Sequence, residues 1–255
     1  MAYSTRSYAR SYLSGGGGMP PGVKMLLIVN IAVFLLQSVT GGSLGGLFPF
    51  LALRPADVVG SFFVWQLGTY LFLHGSLWHI LWNMLSLWWF GRDLEQTWGT
   101  RRFLRFYFMC GVGAGVFVVL VNYLFGSPNI ATIGASGAIY GVLMASAILW
   151  PDRIILFILF PMKMKYFVMI VGAISFYSSF NPNSGVSDIA HLSGLAIGYL
   201  YLKSPRVRGF DPLASLQGGY RSWKLARAKK KFQVYLRKQG SERGKQGSGR
   251  DRTVH

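Results

Sequence analysis

Residues 134–150, GASGAIYGVLMASAILW, form an unbroken run of small and apolar side chains that ends at Pro151. Glycine recurs within it at Gly134, Gly137 and Gly141. Glycines at four-residue spacing let two helices approach closely, as in membrane helix pairs. Proline stops a helix because it lacks a backbone N–H. The stretch therefore predicts a short apolar helix that packs against another helix.

Five further apolar stretches surround this one, at roughly 24–40, 70–91, 103–125, 164–180 and 188–203. A membrane-crossing helix needs about 20 mostly apolar residues. The chain is 52% hydrophobic and 13% charged, whereas soluble domains carry about 25% charged residues. We predict an all-α membrane protein in which residues 24–203 form six spans. A flexible tail, 1–23, precedes this domain and a basic tail, 204–255, follows it.

The basic residues are unevenly distributed. All of the Lys and Arg except Arg54 lie in or at the borders of the first tail and of the second-to-third and fourth-to-fifth connections, or from Lys203 onward. Because basic residues stay on the cytoplasmic side, this pattern predicts two cytoplasmic termini. The net charge of +18 predicts contact of the second tail with anionic lipid. The alternative partners for that tail are RNA or another protein. Because lipid is favoured, we expect no nucleic acid partner.

Several polar side chains interrupt the apolar stretches, where such groups are costly and often functional. They include His79, Asn83, Ser136 and His191. At about 1.5 Å per residue, His79, Ser136 and His191 all lie about 20 Å above the inner ends of their predicted spans. Asn83 lies about one turn deeper. The shared depth predicts that these residues form one site.

A serine level with a histidine suits hydrolysis, because the imidazole can take the hydroxyl proton. His79 and Asn83 are donors suited to an oxyanion. We expect no acidic side chain beside His191, and hence a dyad. No cofactor or metal is expected, and the single Cys110 excludes an intramolecular disulfide. The alternatives are helix packing for Ser136, a three-histidine metal site, and a small transporter or channel.

Three segments together resemble the rhomboid intramembrane proteases. They are His74–Asn83 (HGSLWHILWN), Gly134–Gly141 (GASGAIYG) and Ala190–Gly198 (AHLSGLAIG). The resemblance covers roughly residues 60–203. It implies a six-helix rhomboid-like bundle with Ser136 as nucleophile and His191 as base.

The resemblance also assigns supporting roles. It implies that His79 and Asn83 are the oxyanion donors. The residues that it implies pack around the catalytic pair are Tyr140, Gly134, Gly137 and Gly194. The family's Trp-Arg pair in the loop after the first span appears here as Trp65-Gln66. The missing arginine leaves the bonding of that loop to be explained.

The family's substrates are membrane-anchored proteins that are cut in or near a transmembrane segment. The resemblance therefore implies single-span membrane proteins as partners, and a multi-pass protein of the bacterial plasma membrane, with a mitochondrial location as the alternative. A rhomboid-like pseudoprotease would bind such proteins without cutting them. Because such relatives usually lack the serine or the histidine, the protease is favoured.

Overall fold

The computed structural model describes residues 18–41, 46–157, 160–180, 185–204 and 227. The chain forms two compact units, Met1–Val207 and Arg208–His255. Residues 1–17 of the predicted first tail lie outside the described residues, as does the predicted basic tail apart from Ser204 and Arg227. The expectations for these two tails therefore stay predictions.

The described part of the first unit is mostly helical. Its helices are α1 (Pro21–Val39), α2 (Phe48–Leu51), α3 (Pro55–Gly60), α4 (Gln66–Thr69), α5 (Leu77–Ser86), α6 (Arg92–Trp98), α7 (Thr100–Leu124), α8 (Ser136–Leu149), α9 (Met164–Ser178) and α10 (Gly185–Lys203). A 3₁₀ turn, Tyr70–Phe72, follows α4, and a π-helical turn, Leu87–Gly91, joins α5 to α6. By length and composition, α1 and α7 could each cross a bilayer, and α8 and α9 are shorter apolar helices.

The second predicted span begins later than expected. The prediction started it at residue 70, but α5 begins at Leu77. Ser76 decides the boundary, because its hydroxyl accepts a hydrogen bond from the backbone N–H of His79 at 3.2 Å. Such an N-cap satisfies a donor that the first turn cannot pair internally. His74 therefore lies before the helix rather than within it.

The predicted helical fold is confirmed for most of the described residues, but a short β-hairpin interrupts it in the connection after α8. Strands β1 (Ile154–Phe157) and β2 (Phe160–Lys163) pair antiparallel, with Ile154 opposite Lys163. β-Branched residues favour extended backbone, and Pro161 disfavours helix there. Lys165 and Lys163 bond Asp152 at 2.9 and 3.1 Å and hold the hairpin base. The hydrogen bond from Lys165, followed by that from Lys163, lowers the pKa of the Asp152 carboxyl.

The core of the first unit is the mutual packing of α7, α8 and α10. Glycines set the closest approach between α8 and α10. A Cβ added to Gly194 would overlap the carbonyl oxygen of Gly137, and one added to Gly198 would lie 2.9 Å from that of Gly141. The two four-residue glycine spacings in the sequence thus face each other. They bring the backbone of α8 against that of α10.

A buried carboxylate joins α6 to the start of α1. Glu95 is 2% exposed and accepts hydrogen bonds from the backbone N–H groups of Gly22 and Val23 at 2.8 and 2.7 Å. The hydroxyl of Thr100 donates to the same carboxylate at 2.6 Å. The first N–H groups of a helix lack internal partners and favour a negative charge. Glu95, from a distant part of the chain, supplies the hydrogen-bond acceptor and the negative charge.

Glu95→Ala is expected to lower the free energy of unfolding by about 2–3 kcal/mol, because hydrogen bonds to a charged acceptor contribute strongly and its donors would stay buried. Reversible denaturation of the full chain in mixed micelles measures this difference. Glu95→Gln keeps a carbonyl acceptor and should lose less. Equal stability of all three proteins would contradict a role for this carboxylate.

Candidate active site

Ser136 is the first residue of α8, after a segment held in extended form by other parts of the chain. Thr132 exchanges two backbone hydrogen bonds with Leu53, of 2.8 and 3.1 Å, and the N–H of Gly134 donates to Tyr70 at 2.9 Å. Gly134 has a φ of +116°, which favours glycine. Because these partners satisfy a non-helical backbone, α8 can begin at Ser136 within the fold.

His191 lies on α10 directly beside Ser136. The Nε2 atom of His191 is 2.9 Å from the Oγ atom of Ser136, which is within hydrogen-bonding distance. The contact between Gly137 and Gly194 lies one residue after Ser136 and three residues after His191. Close backbone approach at that point is what lets a short serine side chain reach the imidazole.

Tyr140 lies one turn after Ser136 on α8 and covers the imidazole. The two rings are stacked, with centroids 4.2 Å apart and planes inclined by 5°. An aromatic face so placed restricts the rotation of the histidine and attracts a positive charge on it. The ring therefore restricts the orientation of His191 and would favour a positive charge on its imidazole.

The expectation that no acidic side chain lies beside His191 is wrong. Asp188 precedes the histidine by three residues on α10, and its Oδ1 atom is 3.6 Å from Nδ1 of the imidazole. The hydroxyl of Ser175, on α9, is 3.4 Å from the same Nδ1 atom. Residues three apart share a helix face, so the spacing of Asp188 could have revealed it. Ser175 comes from another helix and leaves no local signal.

His79 and Asn83 lie on α5 across from Ser136. The backbone N–H of Gly75 donates to Nδ1 of His79 at 3.4 Å, which assigns the ring proton to Nε2. A Cβ added to Gly134 would lie 2.6 Å from that Nε2 atom and 3.9 Å from the side-chain nitrogen of Asn83. Both donors thus point to the backbone that leads into Ser136.

His74 does not join this group. His74 is 1% exposed, and its ring packs edge-on against that of His79, with the ring centroids 5.0 Å apart. Among the described residues, no three His, Cys, Asp or Glu side chains are grouped to hold a metal ion. Cys110 is buried in α7, where it fills the space beside Gly141.

A cavity of about 810 Å³ opens over the serine and histidine. It runs between α5 with the π turn, α8, α9 and β1, and its walls are mostly apolar. The lining residues are Trp78, His79, Trp82, Asn83, Leu85, Ser86, Trp89, Phe90, Ser136, Ile139, Tyr140, Leu143, Ile155, Leu156, Phe167, Val171, Ser187 and His191. The cavity thus presents a few polar groups, among them the Ser136 hydroxyl and the His191 imidazole, within mostly apolar walls.

Gln66 fills the position of the missing arginine by bonding the loop through its amide. Its carbonyl oxygen accepts from the N–H of Arg54 at 3.0 Å, and its amide nitrogen donates to the carbonyl of Pro49 at 3.1 Å. The indole of Trp65 donates to the carbonyl of Phe50 at 2.8 Å. A fully buried neutral side chain therefore ties the segment before α4 without an ion pair.

A model of the Rhomboid domain matches residues 61–204, a range that contains every residue of the site. The chain belongs to the rhomboid family. Rhomboid proteins are embedded in membranes, which agrees with the apolar helices α1 and α7. The family assignment confirms the resemblance seen in the three sequence segments.

Individual relatives are 26–31% identical to this rhomboid protein over the aligned regions. RHOMBOID-like protein 1 of Arabidopsis thaliana is 30% identical over 164 residues, 63% of this chain and 40% of the plant protein. The putative rhomboid protease YdcA of Bacillus subtilis is 31% identical over 140 residues, 53% of this chain and 64% of the relative. The rhomboid protease GlpG of Yersinia pestis is 26% identical over 206 residues, 78% of this chain and 67% of the relative.

The chain thus spans less than half the length of the plant relative and about two thirds of the two bacterial ones. Both bacterial relatives carry the word protease in their names. At the level of the family, these relatives support a membrane-embedded protease.

Proposed function

We propose that this rhomboid protein is an intramembrane serine endopeptidase that cuts single-span membrane proteins in or near their transmembrane segments. The observation that carries the proposal is the 2.9 Å contact between Ser136 Oγ and His191 Nε2 at the edge of an apolar cavity. A serine–histidine contact used only for packing would not need an adjoining space for a substrate. Here the cleft opens directly over the hydroxyl.

The chemistry follows from this geometry in two halves. The Oγ atom of Ser136 attacks the scissile carbonyl carbon while Nε2 of His191 accepts the hydroxyl proton. The carbon–nitrogen bond then breaks, and the imidazolium returns the proton to the leaving amine. Water, deprotonated by the same imidazole, hydrolyses the acyl-enzyme and restores the serine. No cofactor enters these steps.

Negative charge develops on the carbonyl oxygen during attack, and hydrogen-bond donors on α5 stabilise that charge. The Nε2–H of His79 and the side-chain amide of Asn83 both face the segment before Ser136. Fixed donors in a site of low polarity stabilise such an oxyanion without reorganising. His79 and Asn83 thus act as the oxyanion donors, while Gly134, Gly137 and Gly194 keep the surrounding backbones close.

Asn83→Ala is expected to lower kcat about 100-fold, the order found for the loss of one oxyanion donor, with little change in KM. Asn122→Ala is the matched control. Both amides donate to the carbonyl four residues earlier at 3.0 Å, but Asn122 lies on α7 and does not line the cavity. Steady-state cleavage by both variants measures the difference. Equal losses would assign the effect to helix stability rather than to the oxyanion.

Six membrane-spanning helices, with both termini in the cytoplasm, suit this function. We assign the six proposed segments to α1, α5 with its π turn, α7, α8, α9 and α10. Their outer faces carry bare apolar side chains, such as Ile28 at 56%, Leu120 at 50% and Ile174 at 58% exposure. Apolar surface of this extent indicates a lipid environment. A six-span core suits a bacterial plasma membrane, and the charge pattern favours cytoplasmic termini with the basic tail on anionic lipid.

The test uses the full chain in liposomes with a panel of tagged single-span reporters that carry a small residue near the end of the span. We expect a cut in or near the span, located by the product masses. An alkyl fluorophosphonate, which reacts with activated serines, should leave its adduct on Ser136. An adduct on another serine would overturn the proposed nucleophile. Reporter binding without any product would indicate the pseudoprotease instead.

A further inference from the structure

The Nδ1 atom of His191 has polar side chains around it, as the Nε2 atom that faces Ser136 does. Nε2 of the imidazole contacts the Ser136 hydroxyl at 2.9 Å, so Nδ1 points away from the reaction. Two side chains converge on Nδ1, the Asp188 carboxylate at 3.6 Å and the Ser175 hydroxyl at 3.4 Å. Tyr140 completes the enclosure, because its hydroxyl accepts from Ser175 at 3.4 Å while its ring stacks on the imidazole.

We propose that Asp188 is a positioning residue that holds the Nδ1–H of His191 and stabilises the imidazolium during proton transfer, with Ser175 as a neutral second contact. The inference rests on the proposed hydrolysis and extends the expected dyad to an acid-assisted arrangement. A base whose other nitrogen faces an anion keeps its proton on that nitrogen, which leaves Nε2 free to accept from the serine.

Burial decides how much this carboxylate contributes. The side chains of His191 and Asp188 are 19% and 12% exposed, so water screens their interaction only weakly. A separation of 3.6 Å exceeds a good hydrogen bond but is well within the range in which opposite charges influence each other. Catalytic hydrogen bonds are also often longer before substrate binds. The contact therefore strengthens when the imidazole becomes positive.

Other groups around the imidazole cannot supply the same effect. Within the part of the chain that the structure describes, its ionisable neighbours are Asp188 on its own helix, Tyr140 on α8 and His79 on α5 across the cavity. Tyr140 is neutral at ordinary pH and His79 is not an anion. Asp188 is thus the group whose charge favours the protonated imidazole.

Asp188→Asn keeps the shape of the side chain and removes its charge. We expect kcat/KM near neutral pH to fall about tenfold, and the acid limb of the pH profile to move about one unit to lower pH. The sign follows because the imidazole loses the anion that favours its protonated form, so it stays a competent base in more acidic solution. Asp188→Glu should restore part of both quantities.

Ser175→Ala should slow cleavage without moving the acid limb, because a hydroxyl carries no charge. Two control variants should leave the limb in place. Ser193→Ala removes a hydroxyl on α10 that donates to the carbonyl of Ile189 at 2.6 Å. Asp57→Asn makes the same neutralisation in α3, where the aspartate pairs with Arg54. A shift of similar size in Asp57→Asn would overturn the assignment to Asp188.

A second measurement does not depend on cleavage. The ring nitrogens of His191 in the ¹⁵N-histidine-labelled full chain can be titrated by NMR, with His191→Gln used to assign the signals. We expect the midpoint in Asp188→Asn to lie at lower pH than in the wild type. Equal midpoints would overturn this inference while leaving the hydrolysis intact. Absence of reporter cleavage, with the midpoint shifted as expected, would overturn only the proposed function.

Discussion

Ser136→Ala is expected to reduce the rate of reporter cleavage by about 10⁴-fold or more, because it removes the atom that forms the acyl-enzyme. The change deletes a single oxygen in a residue whose neighbours Ala135 and Gly137 are already small. The fold should therefore survive, and binding of the reporter with it. Initial rates in liposomes, measured alongside reporter binding, separate the two effects.

Ser146→Ala is the matched control for this substitution. Ser146 lies ten residues later on the same helix, is buried, and donates its hydroxyl to the carbonyl of Val142 at 3.0 Å. Loss of that bond should leave cleavage within a few-fold of the wild type. His191→Ala should match the loss in Ser136→Ala, and the double variant should lose no more, because the two groups act as one unit. Substantial cleavage by Ser136→Ala would refute serine catalysis at this site.

Gly194→Ala is expected to abolish most of the activity by separating α8 from α10. The added Cβ would overlap the carbonyl oxygen of Gly137 and lie 3.0 Å from the carbonyl carbon. Backbone atoms cannot move aside as a side chain can, so the helices must shift. Overpacking of this kind costs about 1–3 kcal/mol, against about 1 kcal/mol gained from the better helix propensity of alanine. The packing term therefore wins.

The consequence for catalysis is larger than that for stability. Ser136 lies on α8 and His191 on α10, close to the point where Gly137 and Gly194 meet. A displacement of the two helices there lengthens the 2.9 Å contact between Ser136 and His191 directly. Gly172→Ala is the control, because its Cβ would meet only the end of the flexible Leu195 side chain at 3.2 Å. Cleavage rates and thermal unfolding of both variants distinguish them. Full activity of Gly194→Ala would contradict the proposed role of the glycine contact.

Much of the helical framework was predictable because short stretches of the sequence determine it. Apolar runs bounded by Pro151, or by charged residues such as Arg92, predicted helices that the structure contains within a few residues. The glycine spacings in residues 134–141 and 194–198 predicted a close helix contact. Counting residues along helices predicted that Ser136, His79 and His191 lie at one level. The structure brings Ser136 and His191 into direct contact.

Local competition accounts for the errors in the framework. The cap at Ser76 delays the start of α5 although the residues before it are apolar. The segment after Pro151 forms an antiparallel hairpin, and no local pattern in the sequence indicates that pairing. The amide of Gln66 bonds the backbone of Arg54 and Pro49, and no pattern in the sequence identifies those partners.

The sequence by itself determined which segments are apolar helices and which polar residues they carry, and it predicted a common level for those residues, since a helix has a constant rise and a constant turn. Only the tertiary structure decided what surrounds the Nδ1 atom of His191. Asp188 comes from the preceding turn of the same helix, but Ser175 arrives from α9, at a distance that depends on the angle and separation at which whole helices pack. That geometry is a sum over many contacts, so no single stretch of sequence encodes it.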